Sequence, residues 1–266
     1  VPKTRADLQF IVIMKAPSTN LIERLFASGA HFGFKKSRRH PTVTPYLFTS
    51  KDGSDIFDLE QTASSIEAAK AMLEEAGKNG KTVLFVATKD EMSRLVKDTA
   101  EKIAQPYVVN RWIGGMFTNW SEIKKRIYRL ESLINEKESG ELDRKYTKKE
   151  RVLINREIDK LQFNFGGIKT CQKVADVMVV VDPRHDHIAI TEAAEMNVPT
   201  IAIMSSDCDA SKVTYPITVN DALQSSVAIV LAELGTAYQN GKALYVPKPA
   251  APRPDTRPVR RPRTDA

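Results

Sequence analysis

The chain has 266 residues, of which 42% are hydrophobic and 27% are charged, a composition that excludes an intrinsically disordered protein and suits one large domain or one domain with an appendage. Its net charge of +7 favours polyanionic partners, nucleic acid among them. Two cysteines are too few for a disulfide framework, and no apolar run approaches the roughly 20 residues of a transmembrane helix, so we expect an intracellular protein without a membrane partner.

Both ends of the chain are basic. Residues 1–40 carry eight lysines and arginines against two acidic residues, and the last twenty residues carry six against two. The second of these segments also contains six prolines, a composition that cannot form a core. We predict an N-terminal arm over residues 1–19 and a flexible basic tail over residues 241–266.

The first predicted helix covers residues 20–28, with Asn20 and Glu23 forming its N-terminal cap and Gly29 ending it. The next stretch, residues 31–48, mixes cations with aromatic rings. Cations neutralise phosphates and aromatic rings stack on exposed bases, whereas the alternative is an ordinary solvated run of charge. We favour RNA binding by this loop, through Lys35, Lys36, Arg38, Arg39 and His40.

Apolar, β-branched runs alternate with helix-like segments through most of the remaining chain. Strands that are apolar on both faces belong to buried, mostly parallel sheets. The alternation therefore predicts an α/β fold, a mostly parallel sheet with helices on both faces. The predicted strands are 82–88, 106–110, 176–182 and 200–204. The predicted helices are 60–76, 90–104, 188–196 and 221–239.

The segment RWIGGMFTNW, residues 111–120, contains both tryptophans of the chain and no acidic, lysine, histidine or cysteine residue. Paired glycines permit a close backbone approach, and large rings favour packing. We predict an architectural corner that packs the following helices onto the sheet, formed by Trp112, Gly114, Gly115 and Phe117. Arg111 and Asn119 are the polar members that either reach RNA or fix the turn.

Residues 121–163 break the alternation with a highly charged segment that lacks a strand pattern. Its apolar residues step by four, three and four, the narrow stripe of a coiled-coil seam. We predict an inserted antiparallel coiled-coil helical hairpin, its second helix opened by a capping box of Thr147 and Glu150. The alternative is a pair of ordinary surface helices. Lys124 and Lys125, in the first helix, join the predicted RNA-binding residues. The seam residues are Ile123, Ile127, Leu130, Ile134, Ile154, Ile158, Leu161 and Phe165.

Motifs of nucleotide-binding and hydrolytic enzymes, such as GxGxxG, the phosphate loop, GxSxG and HExxH, do not occur in the sequence. The turn DPRHDH, residues 182–187, offers ligands for a metal or an acid–base pair. Consecutive loop residues rarely converge on one point, so we favour a helix-capping or RNA-facing turn. Cys208, in the loop SSDCDA, has no evident base to activate it as a nucleophile. We predict no catalytic residue, no cofactor and no bound metal.

Eight segments of the chain follow one another in the order that one protein family shares. They are LFASGAHFG, PYLF, DIFDLEQT, LFVATK, NRWIGGMFTNW, FGGIK, VVVDPRHDHIAITEAAEMNVPTIAI and TYPITVND. Together they span about residues 20 to 240 and resemble the small-subunit ribosomal protein numbered two, the S-two family, in its bacterial form. The block RWxGGxxTN is highly specific to that family.

The resemblance implies a Rossmann-like (flavodoxin-like) domain without enzyme activity. It implies a structural constituent of the small ribosomal subunit that binds small-subunit ribosomal RNA between head and body. Neighbouring ribosomal proteins are implied partners, including the large mRNA-binding ribosomal protein numbered one, without homo-oligomer formation. The implied location is the ribosome in the cytoplasm of a bacterium or in a bacterial-type organelle. The rival interpretation is an α/β enzyme that binds a nucleotide or metal at the carboxyl edge of its sheet.

The chain departs from the family pattern where some members are thought to hold a divalent ion. Phe34 replaces a histidine, Ser205 and Ser206 replace an Asp-Thr pair, and Ala222 replaces an aspartate. These departures remove ligands and underlie the prediction of no metal. The predicted units are the arm 1–19, a discontinuous α/β core of 20–120 and 164–240, the hairpin insertion 121–163 and the tail 241–266.

Overall fold

The computed structural model describes residues 19–245. Residues 1–18 of the predicted arm and residues 246–266 of the predicted tail lie outside these residues. The predicted bounds at 19 and 241 are wrong, because Thr19 begins the first helix and residues 241–243 belong to the last one. The helices are α1 (Thr19–Ala27), α2 (Leu59–Lys78), α3 (Asp90–Lys102), α4 (Trp120–Glu138), α5 (Glu141–Lys145), α6 (Lys148–Phe165), α7 (His187–Glu195) and α8 (Gln224–Ala243). The strands are β1 (Phe32–Lys35), β2 (Leu47–Lys51), β3 (Ser54–Phe57), β4 (Val83–Val86), β5 (Tyr107–Val108), β6 (Val177–Val181), β7 (Thr200–Met204) and β8 (Tyr215–Thr218).

Five strands form a parallel sheet in the order β5-β4-β6-β7-β8. Numbered along the chain within this sheet, the order is 2-1-3-4-5, which is the flavodoxin-like arrangement of a doubly wound sheet. The predicted strands 82–88, 176–182 and 200–204 are confirmed to within two residues at each end. The predicted strand 106–110 forms only over Tyr107–Val108, and β8 was not predicted.

Alternate residues of each strand enter two separate cores, because successive side chains of a strand point to opposite faces. Val83 and Phe85 pack with α1, α2, α3 and α8. Leu84 and Val86 pack instead with α7 and with the bases of α4 and α6. Helices therefore cover both faces of the sheet, as the apolar strands predicted.

Helices α2 and α8 pack almost backbone to backbone at two glycines. A Cβ atom on Gly77 would lie 2.5 Å from the carbonyl oxygen of Tyr238, and one on Gly241 would lie 2.0 Å from that of Glu74. Only hydrogen fits at either position. The hydroxyl of Tyr238 then donates to the carbonyl of Lys81 at 2.9 Å, which fixes the end of α8 beside the amino end of β4.

A second sheet, antiparallel and in the order β1-β3-β2, lies between α1 and α2 along the chain and was not predicted. Most of β2 is exposed and β1 contains no buried residue, so neither strand has the apolar pattern by which the others were found. Asp52 and Gly53 adopt positive φ angles of 52° and 77° in the turn between β2 and β3. This small sheet carries part of the basic stretch 31–48.

The end of α1 matches its prediction, but the beginning does not. Gly29 has a φ of 75° just after the helix, the left-handed conformation that glycine adopts at little cost. Asn20 lies inside α1, so the predicted cap at Asn20 is wrong. None of the helices in residues 19–245 is long and apolar enough to cross a bilayer.

Helices α4 and α6 are in contact, and α5 lies between them in the chain. Thr147 and Glu150 form the predicted capping box at the start of α6. Ile134 and Ile154 are half-buried, and the other seam residues are buried. The seam was therefore correctly identified, while its extension as a projecting coiled coil stays a prediction. The buried seam residues are Ile123, Ile127, Leu130, Ile158, Leu161 and Phe165.

Candidate nucleic-acid interface

The predicted basic loop runs from the end of β1 through a short 3₁₀ turn, Lys36–Arg38. The side chains of Lys35 and Lys36 are exposed, and within the described residues neither ammonium has a carboxylate within 4 Å. Arg38 is also exposed, but its guanidinium lies 4.7 Å from the centre of the Phe34 ring and 3.4 Å from the Asp207 carboxylate. Two unpaired ammonium groups and one oriented guanidinium thus face solvent together.

Arg39 differs from its neighbours because its half-buried side chain is bound to a carboxylate of the protein. Its Nε donates to Asp55 at 2.8 Å, its Nη2 donates to the second oxygen of the same carboxylate, and Asp55 is fully buried. Ser50 donates to this carboxylate at 2.9 Å. The hydrogen bonds from Arg39 hold the pKa of Asp55 below its usual range. Arg39, predicted to bind RNA with its neighbours, is thus held by this ion pair and anchors the loop to β3.

His40 closes the loop against the parallel sheet. Its backbone N–H donates to the carbonyl of Ser206 at 2.8 Å, and its Nδ1 lies 2.8 Å from the hydroxyl of Thr42. The backbone N–H of Phe34 donates to the hydroxyl of Ser206 at 3.0 Å. Since Ser206 follows β7, the basic loop lies at the carboxyl edge of the parallel sheet. That edge is where doubly wound folds place their sites.

The predicted corner is organised by a residue that the sequence did not reveal. The buried carboxylate of Glu192 on α7 accepts the indole N–H of Trp112 at 3.1 Å. The same carboxylate accepts the backbone N–H groups of Gly115 at 2.8 Å and Phe117 at 3.0 Å. An acidic residue on the apolar face of a helix, between Ala189 and Ala193, is the only sequence signal that points to it.

Of the four residues predicted for this corner, Gly115 and the two aromatic residues have the conformation or burial that the turn needs, whereas Gly114 does not require a glycine. Gly115 has a φ of 92°, a conformation that other residues rarely adopt. A Cβ atom on Gly114 would lie 4.0 Å from Glu192, so Gly114 has ordinary space. The buried rings of Trp112 and Phe117 lie 5.5 Å apart in the core that contains the bases of α4 and α6.

The other predicted RNA-binding residues lie around this corner and on α4. Arg111 is exposed, next to the corner. Asn119 precedes α4 but makes no capping hydrogen bond with its side chain, which accepts instead from Ser121 at 3.2 Å. The ammonium of Lys124 lies over the ring of Tyr128 at 5.5 Å, and that of Lys125 pairs with Glu122. These four residues belong to elements other than the basic loop.

The histidine-rich turn packs onto the loop after β4. The buried carboxylate of Asp186 accepts the backbone N–H and the hydroxyl of Thr88, at 3.1 and 2.7 Å. Asp186 is the N-cap residue of α7 but makes no side-chain cap, so the side-chain capping expected of this turn is absent there, while the RNA-facing alternative stays a prediction. Burial raises the pKa of Asp186. His185 lies 2.8 Å from the Thr88 hydroxyl, while His187 begins α7 with an exposed side chain.

Three further side chains with potential ligand atoms meet at the carboxyl edge of the sheet. One ligand atom each from Asp182, Cys208 and Asp221 lies within 4.8 Å of the others. Asp182 has a φ of 60°, and Lys89 lies 3.5 Å from its carboxylate. Burial raises the pKa of Asp221 to about 7 and raises that of the Cys208 thiol strongly, so Cys208 is unsuited to act as a nucleophile. The sequence separates these three residues widely, and β8, which places Asp221, was not predicted, so no sequence pattern indicated the cluster.

A family model described as "Ribosomal protein S2" matches residues 25–241. The small ribosomal subunit protein uS2 of Picosynechococcus sp. is 40% identical over 226 residues, which are 85% of this chain and 88% of that protein. The proteins of that name from Synechocystis sp. and Nocardia farcinica are each 39% identical, over 82% and 83% of this chain and 81% and 77% of their own lengths.

The match covers the basic loop, the Trp112–Phe117 corner, both long helices of the insertion and the carboxyl edge of the sheet. It agrees with the resemblance drawn from eight segments of the sequence. The prediction that the protein is not an enzyme is confirmed, since the matching family is one of ribosomal proteins. The chain belongs to the ribosomal protein S2 family of the small ribosomal subunit.

Proposed function

We propose that this protein is a structural constituent of the small ribosomal subunit and binds small-subunit ribosomal RNA between head and body. The observation that carries the proposal is the basic loop: Lys35 and Lys36 project into solvent from a backbone locked by two internal ties. One tie is the ion pair of Arg39 with Asp55, and the other is the hydrogen bond from His40 to Ser206. A pre-organised cationic surface loses little conformational freedom on binding, which favours affinity.

In the proposed interface, some side chains of the loop contact phosphates and others hold those side chains in position. Lys35, Lys36 and Arg38 contact phosphates, which carry no base code, so they support affinity without sequence discrimination. Arg39 and His40 hold these groups in place rather than touching RNA. A second contact is proposed at the corner and on α4, where Arg111, Asn119, Lys124 and Lys125 line one continuous stretch of chain.

The experiment measures affinity for small-subunit ribosomal RNA across a salt series. Each phosphate contact contributes roughly 0.7–0.9 to the log–log salt slope. Replacing both Lys35 and Lys36 by alanine should therefore flatten the slope by about 1.5. The matched control replaces Lys78 and Lys81, two exposed lysines near the amino edge of the sheet. An unchanged slope in the first variant, or an equal change in the control, would remove the loop from the interface.

We also propose that residues 121–163 form a coiled-coil hairpin inserted into the core of 20–120 and 164–240. Its two long helices share a buried seam, yet Tyr128, Val152 and Leu153 remain exposed. Apolar side chains kept in solvent favour contacts with other proteins. The hairpin is thus the proposed docking surface for neighbouring ribosomal proteins, including the large mRNA-binding ribosomal protein numbered one.

The proposed setting is the ribosome of a bacterial cytoplasm or of a bacterial-type organelle, with the protein present as one copy that does not self-associate. The family assignment supports a bacterial origin, because the relatives described above come from bacteria. Sedimentation tests this directly: the protein should travel with the small subunit, and the free chain should sediment as a monomer. The rival interpretation as an enzyme is set aside by the family assignment.

A further inference from the structure

A cleft of about 570 Å³ lies between α3, the edge strand β5 and the end of α6. A volume of this size is in the range of small-ligand sites. Neither the basic loop nor the Trp112–Phe117 corner contributes a residue to its lining. The cleft is therefore a separate candidate site on the same domain.

Three contacts hold the walls of this cleft together. The hydroxyl of Tyr107 donates to Glu101 of α3 at 2.8 Å, and the side-chain amide of Asn110 donates to the carbonyl of Phe163 at 2.6 Å. A Cβ atom on Gly167 would lie 2.1 Å from the carbonyl oxygen of Tyr107, so the chain after α6 lies directly against β5. The cleft is thus pre-organised, and little ordering free energy opposes the binding of a ligand.

The end of α6 presents an aromatic ring and two free amides to this cleft. Phe163 is one of the lining residues and is 58% exposed. Gln162 and Asn164 also line the cleft, and within residues 19–245 their side-chain amides form no hydrogen bond. An exposed ring offers a stacking surface to a base, and an amide offers both a donor and an acceptor to the edge of a base. Together these groups fit an unpaired nucleobase.

The α3 wall of the cleft carries two cations. Arg94 and Lys97 line it, and their only carboxylates within 4 Å among the described residues are Asp98 and Glu101, each at 3.9 Å. Exposed pairs of this kind contribute little, so both cations stay available to a phosphate.

Two further cations lie beside the α6 wall. Asn164 lines both the cleft and a neighbouring groove between α4 and α6, and Arg126 and Lys160 line that groove. Both cations are exposed, and in the described part of the chain neither has a carboxylate within 4 Å. The carboxylates of the groove, listed with their partners, are held by other cations: Glu122 by Lys125 at 2.5 Å and Glu157 by Arg129 at 3.2 Å.

We propose that the cleft binds an unpaired nucleotide of RNA, with the base against Phe163 and the adjoining phosphates at Arg126 and Lys160. Bases of an RNA duplex are stacked inside it, whereas the bases of loops and bulges are free to stack on protein rings. The inference rests on the proposed RNA-binding function and deepens it. The basic loop contacts phosphates alone, while this cleft recognises a single-stranded feature.

The probe is a short single-stranded RNA with one 2-aminopurine, a base whose fluorescence falls when it stacks on an aromatic ring. Titration with the full-length chain at low salt should quench this fluorescence. Phe163→Leu should abolish the quenching and weaken binding by about 5- to 150-fold, the loss of one base–aromatic stack. Phe163→Tyr keeps a ring and should retain both properties. Phe26→Leu changes a phenylalanine of similar exposure on α1 and is the matched control.

Two further measurements separate the ring from the cations. A fully paired RNA duplex should bind Phe163→Leu and the original chain equally, because its bases are not free to enter the cleft. Replacing both Arg126 and Lys160 by alanine should flatten the log–log salt slope for the single strand by about 1.5, while quenching at saturation remains. Thermal melts of every variant establish that it is folded.

Quenching that persists in Phe163→Leu, or that is lost equally in Phe26→Leu, overturns the inference, and so does an unchanged slope in the double variant. In those cases a flatter slope after replacement of Lys35 and Lys36 leaves the proposed function standing. If the original chain binds neither RNA, both the function and the inference fail. If Phe163→Leu binds RNA normally but no longer sediments with the small subunit, the cleft is a protein contact and the inference is wrong.

Discussion

The buried carboxylate of Glu192 accepts a hydrogen bond of 3.1 Å from the indole N–H of Trp112, which is buried as well. The same side chain accepts two backbone N–H groups, from Gly115 and Phe117. One residue of α7 thereby fixes the turn that leads into α4. The corner is built around a buried negative charge and not around its aromatic rings alone.

Glu192→Ala should destabilise the protein by about 3 kcal/mol, since it leaves three donors of the corner unpaired in a buried place. Chemical denaturation of the two proteins measures the difference. Glu195→Ala, an exposed change on the same helix, is the control and should cost less than about 0.5 kcal/mol. Equal values for the two variants would show that Glu192 does not organise the corner.

Arg39→Ala should lower the free energy of unfolding by about 3–5 kcal/mol, because it leaves the fully buried carboxylate of Asp55 without its ion-pair partner. Lys36→Ala, in the same loop, removes only an exposed ammonium and should change stability by less than about 0.5 kcal/mol. Urea denaturation of both variants separates the anchoring cation from the solvent-facing one. A loss below about 1 kcal/mol for Arg39→Ala would contradict the anchoring role.

The Arg39–Asp55 pair should also make stability depend on pH. Hydrogen bonds from Arg39 lower the pKa of Asp55 in the folded state, so the unfolded chain binds its proton first as the pH falls. The stabilisation is complete above the unfolded pKa of about 3.9 and is lost as the pH falls through the lowered folded value. Urea midpoints of the original chain and Asp55→Asn should differ at pH 6 and converge toward pH 3. A constant difference would reject this linkage.

Replacing residues 121–163 with a Gly/Ser linker should leave a cooperative thermal transition, because the parallel sheet and the helices of its other face are untouched. The melting temperature should fall, since Ile123 and Leu161 belong to the core that contains Trp112. A shorter replacement, of residues 131–154, retains those two residues and should melt closer to the original chain. Loss of cooperativity in both variants would show that the hairpin is not a separable unit.

The sequence was sufficient for the three central strands of the parallel sheet and insufficient for its edge strand β8 and for the antiparallel sheet. Runs such as Val177–Val181 are apolar at every position and predict a buried strand without further information. The exposed strand Leu47–Lys51 has no such pattern and forms because β3 lies beside it. The function class came from the family resemblance rather than from residue chemistry.

The candidate site was harder to predict because its partners are distant in sequence. Arg39 and Asp55 are sixteen residues apart, and Glu192 is eighty residues from Trp112. A basic run looks the same whether its members are paired or free, so Arg39 was indistinguishable from Lys36. The meeting of Asp182, Cys208 and Asp221 depends on strand order, which local patterns do not contain.

The close packing of α8 on α2 fixes the place at which the described chain finishes. Tyr238 is tied to Lys81 just before β4, so the described chain finishes near the amino edge of the sheet. The basic loop lies at the opposite edge, one strand length or about 15 Å away. A polyanion bound at the basic loop therefore lies about one strand length from the point at which the described chain finishes.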